Sequence, residues 1–318
     1  MLTRDIVVEE YFRASCDSSK STYSRETVQK LPPALCRSIA LDISDSYVEA
    51  APFTGADDAF IDWLFIDEAP LGFYVGKREF PVISDLPLDG HEVSILAEFA
   101  KHQVTAAIKL LGEINEEYLS LLRQWTSLIV WLDRKNNFPG TLLTSSTFPN
   151  FPHCTFVTHK SMQHIPPNNV LGFASSYALA ENLFHEALHQ QLAALLLHRD
   201  ILTPTYSSET TSKIDVPWRG GAWEPDRVFH ATYVYSKVLL LRQERFQIDN
   251  LNPVERQWLE RAIIDGTQAL NYLRSALKEY SAIFTPNGSA LLDAVLTHAA
   301  KVCSKPFHGS SQAFNCTT

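Results

Sequence analysis

The stretch FASSYALAENLFHEALHQQLAALLLHR, residues 173–199, reads as one long helix and sets the chain down as a mostly helical protein. Alanine and leucine make up nearly half of it, and neither proline nor glycine interrupts it. Its polar residues are not scattered. Glu181, Asn182, His185, Glu186, His189 and Gln190 fall within one half of the helix circumference at 100° per residue. Glu181, His185 and His189 form one ridge, and Asn182, Glu186 and Gln190 form the next. Polar groups gathered on one face of so apolar a helix need partners, because burying them unpaired is costly.

Within that face lies H-E-x-x-H, with His185 and His189 one turn apart, so that both imidazoles can reach one ion. Glu186 is the candidate acid–base residue. A solvent-facing polar stripe would give the same pattern, and the apolar surroundings weigh against it. A metal held on one face needs a third ligand. Downstream, residues 216–230 read VPWRGGAWEPDRVFH, and His230 opens a second apolar helix about forty residues past His189. Glu224 and Asp226 compete with it, since two histidines and a carboxylate also make an iron site. Arg219, beside Gly220 and Gly221, offers a planar fork suited to a carboxylate. Arg227 is its rival.

Outward from this core, helices are expected over about 225–246, 253–282 and Ser289 to Lys301, with a Pro/Gly/Trp-rich connection from Pro204 to Pro225. On the N-terminal side, apolar residues recur at helical spacing from His91 to about Asp133, which predicts two helices or one broken helix. Residues 136–167 carry five prolines and read as loops, interrupted by a strand at Cys154–Thr158. Short strands and turns are expected over residues 58–85. The first forty residues read as a helix, a polar Ser/Thr stretch and a Leu-Pro-Pro turn. The fold class is therefore mainly α with a minor β component, a helical metalloenzyme core carrying the HExxH helix. Residues 1–144 form a mixed N-terminal region of unclear role, and residues 145–318 a helical catalytic region, unless the two are one domain.

Composition bounds the rest. A formal net charge of −9 over 318 residues argues against a general nucleic-acid binder. No apolar run is long enough to span a bilayer, so no membrane partner is expected. The N-terminus MLTRDIVVEEYFR has no apolar signal-peptide core. The five cysteines are odd in number and form no C-x-x-C pair, which suits a reducing, cytoplasmic setting.

With these residues in view, the chain resembles the HExxH-type, α-ketoglutarate-dependent peptide β-hydroxylases that modify ribosomally made peptides. The resemblance rests on Phe184 to Gln190, on Val216-Pro217-Trp218-Arg219, and on Phe229-His230 followed by Tyr233 and Tyr235. Ser145-Ser146-Thr147-Phe148-Pro149 and the strand after it look like that family's approach to the motif helix. Coverage is best over residues 145–285. The resemblance implies Fe(II), with α-ketoglutarate and O2 as co-substrates, and hydroxylation of a side-chain Cβ in a precursor peptide. It implies that His185, His189 and His230 hold the iron and that Arg219 takes the far carboxylate of α-ketoglutarate. Glu186 then supports the site and is not a proteolytic base.

Two other readings compete. In a zinc metallopeptidase Glu186 activates a zinc-bound water. The chain lacks the H-E-x-x-H-x-x-G-x-x-H continuation, since Leu192 and Leu195 stand there, although Glu224 could serve as a third ligand. A helical protein without catalysis that binds peptides is the third.

Overall fold

A computed structural model describes residues 61–305, apart from 67–68, 76–87, 89, 95, 127, 137, 139–141, 149–150, 167–168, 199–200 and 249–250. The helix, polar stretch and turn expected in the first forty residues lie outside that set. The chain is mainly helical, as expected, and divides into two compact units, residues 1–194 and 195–318. Among the described residues no helix is long and apolar enough to cross a membrane.

The first unit is built on a six-stranded mixed sheet. Its strands are β1 (Ile61–Ile66), β2 (Ala69–Tyr74), β3 (His91–Val93), β4 (Leu128–Arg134), β5 (Ser145–Phe148) and β6 (Phe151–Thr158). Along β4, Leu128 and Ile129 pair with β2 in parallel, and Leu132 to Arg134 pair with β3 antiparallel. The other edge of β4 is parallel to β6, and β5 closes the sheet antiparallel to β6. A small hairpin, β7 (His164–Ile165) and β8 (Asn169–Val170), follows.

The region read as helical from His91 to Asp133 holds α1 (Ala97–Ile114) and α2 (Glu116–Trp125) at its centre. Asn115 breaks them apart: it is extended, and its side chain accepts from the Glu117 N–H to cap α2. Both ends of the region differ from expectation, being strands β3 and β4. Leu128 to Leu132 are all buried, and a strand covered on both faces shows a continuous apolar run with no alternation. Such a run, added to a periodic neighbour, imitates a longer helix. The strand expected at Cys154–Thr158 is present and starts earlier, at Phe151.

Helix α3 (Ser176–His198) carries the HExxH residues. Tyr177, Leu179, Leu183, Phe184, Leu188 and Leu192 are all buried along it, so it is a core helix and not an amphipathic surface one. Tyr118 of α2 meets Phe184 edge-on, with ring centroids 5.0 Å apart.

The second unit holds α4 (Pro225–Phe246), α5 (Pro253–Leu277) and α6 (Pro286–Ser304), packed on one another. Each begins with proline, whose fixed φ suits the first helical turn and whose missing N–H would have no partner there. Asn252 and Thr285 cap α5 and α6. The capping Thr285 starts α6 three residues before the expected Ser289. Helix α5 ends at Leu277, and a 3-10 turn over Lys278–Ile283 completes the stretch read as helix to 282. Within Pro204 to Pro225 the chain forms a hairpin, β9 (Ile214–Val216) and β10 (Gly221–Trp223). Tyr272 of α5 holds it, donating to Asp215 O at 2.7 Å and meeting Trp218 edge-on.

Candidate functional site

Helix periodicity brings His185 and His189 together. Their Nε2 atoms stand 2.9 Å apart, with ring centroids 4.6 Å apart at 71°. With bonds of about 2.1 Å to a shared ion, nitrogens so spaced subtend about 90°, the angle between neighbouring ligands of an octahedral site. The same separation suits an N–H···N hydrogen bond between the rings. The spacing serves either arrangement.

The neighbouring ridge does something else. Ser145 Oγ donates to Glu186 Oε1 at 2.7 Å, and lies 3.4 Å from Asn182 Oδ1. One rung further along, Gln190 Nε2 donates to Thr147 Oγ1, which itself donates to Cys154 O at 3.1 Å. Asn182 Nδ2 approaches three carbonyl oxygens, Ser161 at 3.0 Å, His164 at 2.7 Å and Ala178 at 2.8 Å. Two residues of strand advance about 6.7 Å and four of helix about 6 Å, so Ser145 and Thr147 meet Glu186 and Gln190 in step. The Asn182–Glu186–Gln190 ridge is thus latched to β5, while the Glu181–His185–His189 ridge carries the imidazoles. Glu181 is fully buried and accepts from Tyr177 OH at 3.1 Å.

Glu186 itself is buried, and burial pushes its carboxyl up to about 7 against the opposing pull of the Ser145 hydrogen bond. Near neutral pH it is divided between its two protonation states. Ser145 and Thr147 were not among the expected site residues. The sequence does not single them out, because Thr144, Ser145, Ser146 and Thr147 all carry hydroxyls and only the strand's alternation selects two of them.

The remaining candidates lie in the second unit. His230 is on the second turn of α4, and burial drives its pKa down to about 4, with Asp226 opposing. It is therefore neutral at physiological pH, the form in which imidazole binds metals. Asp226, one turn earlier, accepts a hydrogen bond from Tyr206 OH. Glu224 pairs with Lys213 at 2.6 Å, and that contact holds its carboxyl below the usual range. Arg227 is exposed and lies over the Trp223 ring, 4.5 Å from its centroid. Arg219 ends the 3-10 turn Pro217–Arg219 that joins β9 to β10, and Gly220 after it has φ +62°. A left-handed residue closing this turn explains the glycine. The Arg219 side chain is outside the described residues. Among the described residues no group of three or more His, Cys, Asp and Glu side chains gathers around one point.

No family model and no curated protein matches the chain.

Proposed function

We propose that the chain is an Fe(II)- and α-ketoglutarate-dependent oxygenase that hydroxylates a side-chain Cβ of a ribosomally synthesised precursor peptide. The observation that carries this reading is the division of labour on α3. His185 and His189 converge at 2.9 Å, while Glu186 is engaged by Ser145 of β5. In this reading His185, His189 and His230 hold the iron, and Arg219 neutralises the far carboxylate of the co-substrate. The bound metal with α-ketoglutarate and O2 supplies the oxidising chemistry. Glu186, fixed by Ser145, orients the helix that presents the two imidazoles, and the neutral state of His230 readies it for coordination.

A zinc metallopeptidase is the second reading. A glutamic acid titrating near 7 suits a general base, which is the role Glu186 has in that class. Anaerobic reconstitution with Fe(II), followed by O2 and α-ketoglutarate with a candidate peptide, separates the two. The expected result is succinate formation coupled to a gain of one oxygen in the peptide. Peptide-bond cleavage independent of O2 and α-ketoglutarate would overturn the oxygenase.

A further inference from the structure

The buried His91 imidazole is engaged through both ring nitrogens. Its Nδ1 stands 3.3 Å from Leu88 O, and its Nε2 accepts from the Leu143 N–H at 3.1 Å. A carbonyl oxygen only accepts and an amide N–H only donates. One form of the ring therefore satisfies both partners: neutral, with its proton on Nδ1. A charged ring would set a second N–H against that of Leu143 and leave the amide without its acceptor.

Leu143 belongs to the run that leads into β5. Lys160 Nζ donates to Leu142 O at 3.2 Å, Thr158 Oγ1 donates to Leu143 O, and the Thr158 N–H donates to Thr144 O at 3.1 Å. Those contacts hold carbonyl oxygens, whereas His91 holds an N–H and ties the run to β3. Directly after the run come Ser145 and Thr147, which bond to Glu186 and Gln190 of α3. The cations around the ring are engaged by carbonyls: Arg134, the partner of His91 across β4, donates to Phe138 O, and Lys160 reaches Leu142 O. The Lys135 side chain is exposed. Glu92 and Asp133 pair one residue along, so strand alternation puts them on the opposite face of the sheet. Among the described residues no carboxylate bonds to the ring.

We propose that His91 is a positioning residue for the HExxH helix, a neutral imidazole whose hold on Leu143 sets β5 against α3 and gives way when the ring takes up a proton. It acts on Glu186, and so on the neighbouring His185, through the Ser145 contact. The clamp itself requires no particular chemistry at the site. Its effect on a bound metal rests on the proposed role of His185 and His189.

Hydrogen exchange read by mass spectrometry on the metal-free full chain tests the clamp. Near neutral pH, residues 142–148 should exchange about tenfold faster in His91→Phe than in the wild type, as expected for an amide deprived of its acceptor. His91→Gln, whose amide oxygen accepts at any pH, should restore most of the protection. After correction for the intrinsic rate, wild-type protection should fall between about pH 8 and about pH 5 while that of His91→Gln holds. Glu186 titrates in both proteins, so the difference belongs to His91. Equal protection in His91→Phe and the wild type, or one pH dependence shared by the wild type and His91→Gln, overturns the clamp. Fe(II) binding under nitrogen tests its reach: His91→Phe should bind about tenfold more weakly, and His91→Gln close to the wild type. A looser segment in His91→Phe with wild-type Fe(II) affinity overturns the positioning role. Exchange results as expected, with no Fe(II) bound by the wild type, uphold the clamp and remove the metal role of His185 and His189.

Discussion

Ser145 Oγ stands 2.7 Å from Glu186 Oε1, so the middle glutamate of the HExxH motif is tied to the sheet through a strand hydroxyl. Ser145→Ala should therefore leave a buried carboxyl with no donor from β5. The expected loss is about 1–3 kcal/mol of stability in urea unfolding of the metal-free protein. Combined with Glu186→Met, which removes the acceptor, the two effects should couple by about 0.5–3 kcal/mol. Strictly additive effects would show that the contact contributes nothing.

His185→Ala and His189→Ala should each lose a first-row metal that the wild type binds at one per chain. Each substitution leaves an incomplete site. Metal content by elemental analysis decides this, and full stoichiometry in His185→Ala would sink the assignment.

His230→Ala should weaken metal binding more than Glu224→Ala or Asp226→Ala, because Glu224 is occupied by Lys213 and Asp226 by Tyr206. If Glu224→Ala strips the metal and His230→Ala keeps it, the third ligand is a carboxylate. His230 also makes a pH prediction for the metal-free protein. Its folded pKa, about 4, lies below the unfolded value near 6.5. The stability it contributes is thus present above pH 6.5 and is lost as pH falls toward 4, by at most about 3 kcal/mol. His230→Gln should flatten that part of the stability curve. An unchanged slope would mean that the imidazole is not held neutral by burial.

Glu186→Gln should separate the enzyme classes. A peptidase needs the carboxylate as base and should lose nearly all activity. An oxygenase should keep measurable turnover, since the amide still accepts from Ser145. Complete loss of succinate formation, with iron and fold intact, would assign Glu186 a direct part in the reaction.

Arg219→Ala should raise the α-ketoglutarate requirement, by an amount corresponding to about 2–5 kcal/mol for unpairing a desolvated charge, and leave iron content unchanged. Arg219→Lys should fall between the two. Arg227 is exposed over Trp223, and Arg227→Ala should have little effect. The reverse ranking would move the anchor to Arg227.

The four C-terminal helices were legible in the sequence because local signals mark them: apolar periodicity, prolines at Pro225, Pro253 and Pro286, and caps at Asn252 and Thr285. The His185–His189 pair was legible for the same reason, since four residues in a helix is a local distance. Strand β4 was not. Leu128 to Leu132 has no alternation to betray it, and its identity depends on β2 and β6, which lie far away in sequence. The Ser145–Glu186 link spans 41 residues and joins two different periods, so neither segment reveals it alone. The occupation of Glu224 and Asp226 depends on Lys213 and Tyr206, whose positions follow only from the folded connection between α3 and α4.

The steps of β5 and α3 behave like the two scales of a vernier. They coincide at Ser145–Glu186 and Thr147–Gln190, then drift by most of an ångström per rung, and β5 ends at Phe148 after its pairing with β6 has shifted register. Two teeth are therefore about all this gearing can engage. A one-residue insertion or deletion just before Ser145 would turn both hydroxyls to the opposite face and bring Ser146 inward to one of the two positions. The frame of that short strand is consequently under tighter constraint than its composition. Ser and Thr can trade places on it at small cost, while a change of length there removes one of the two links.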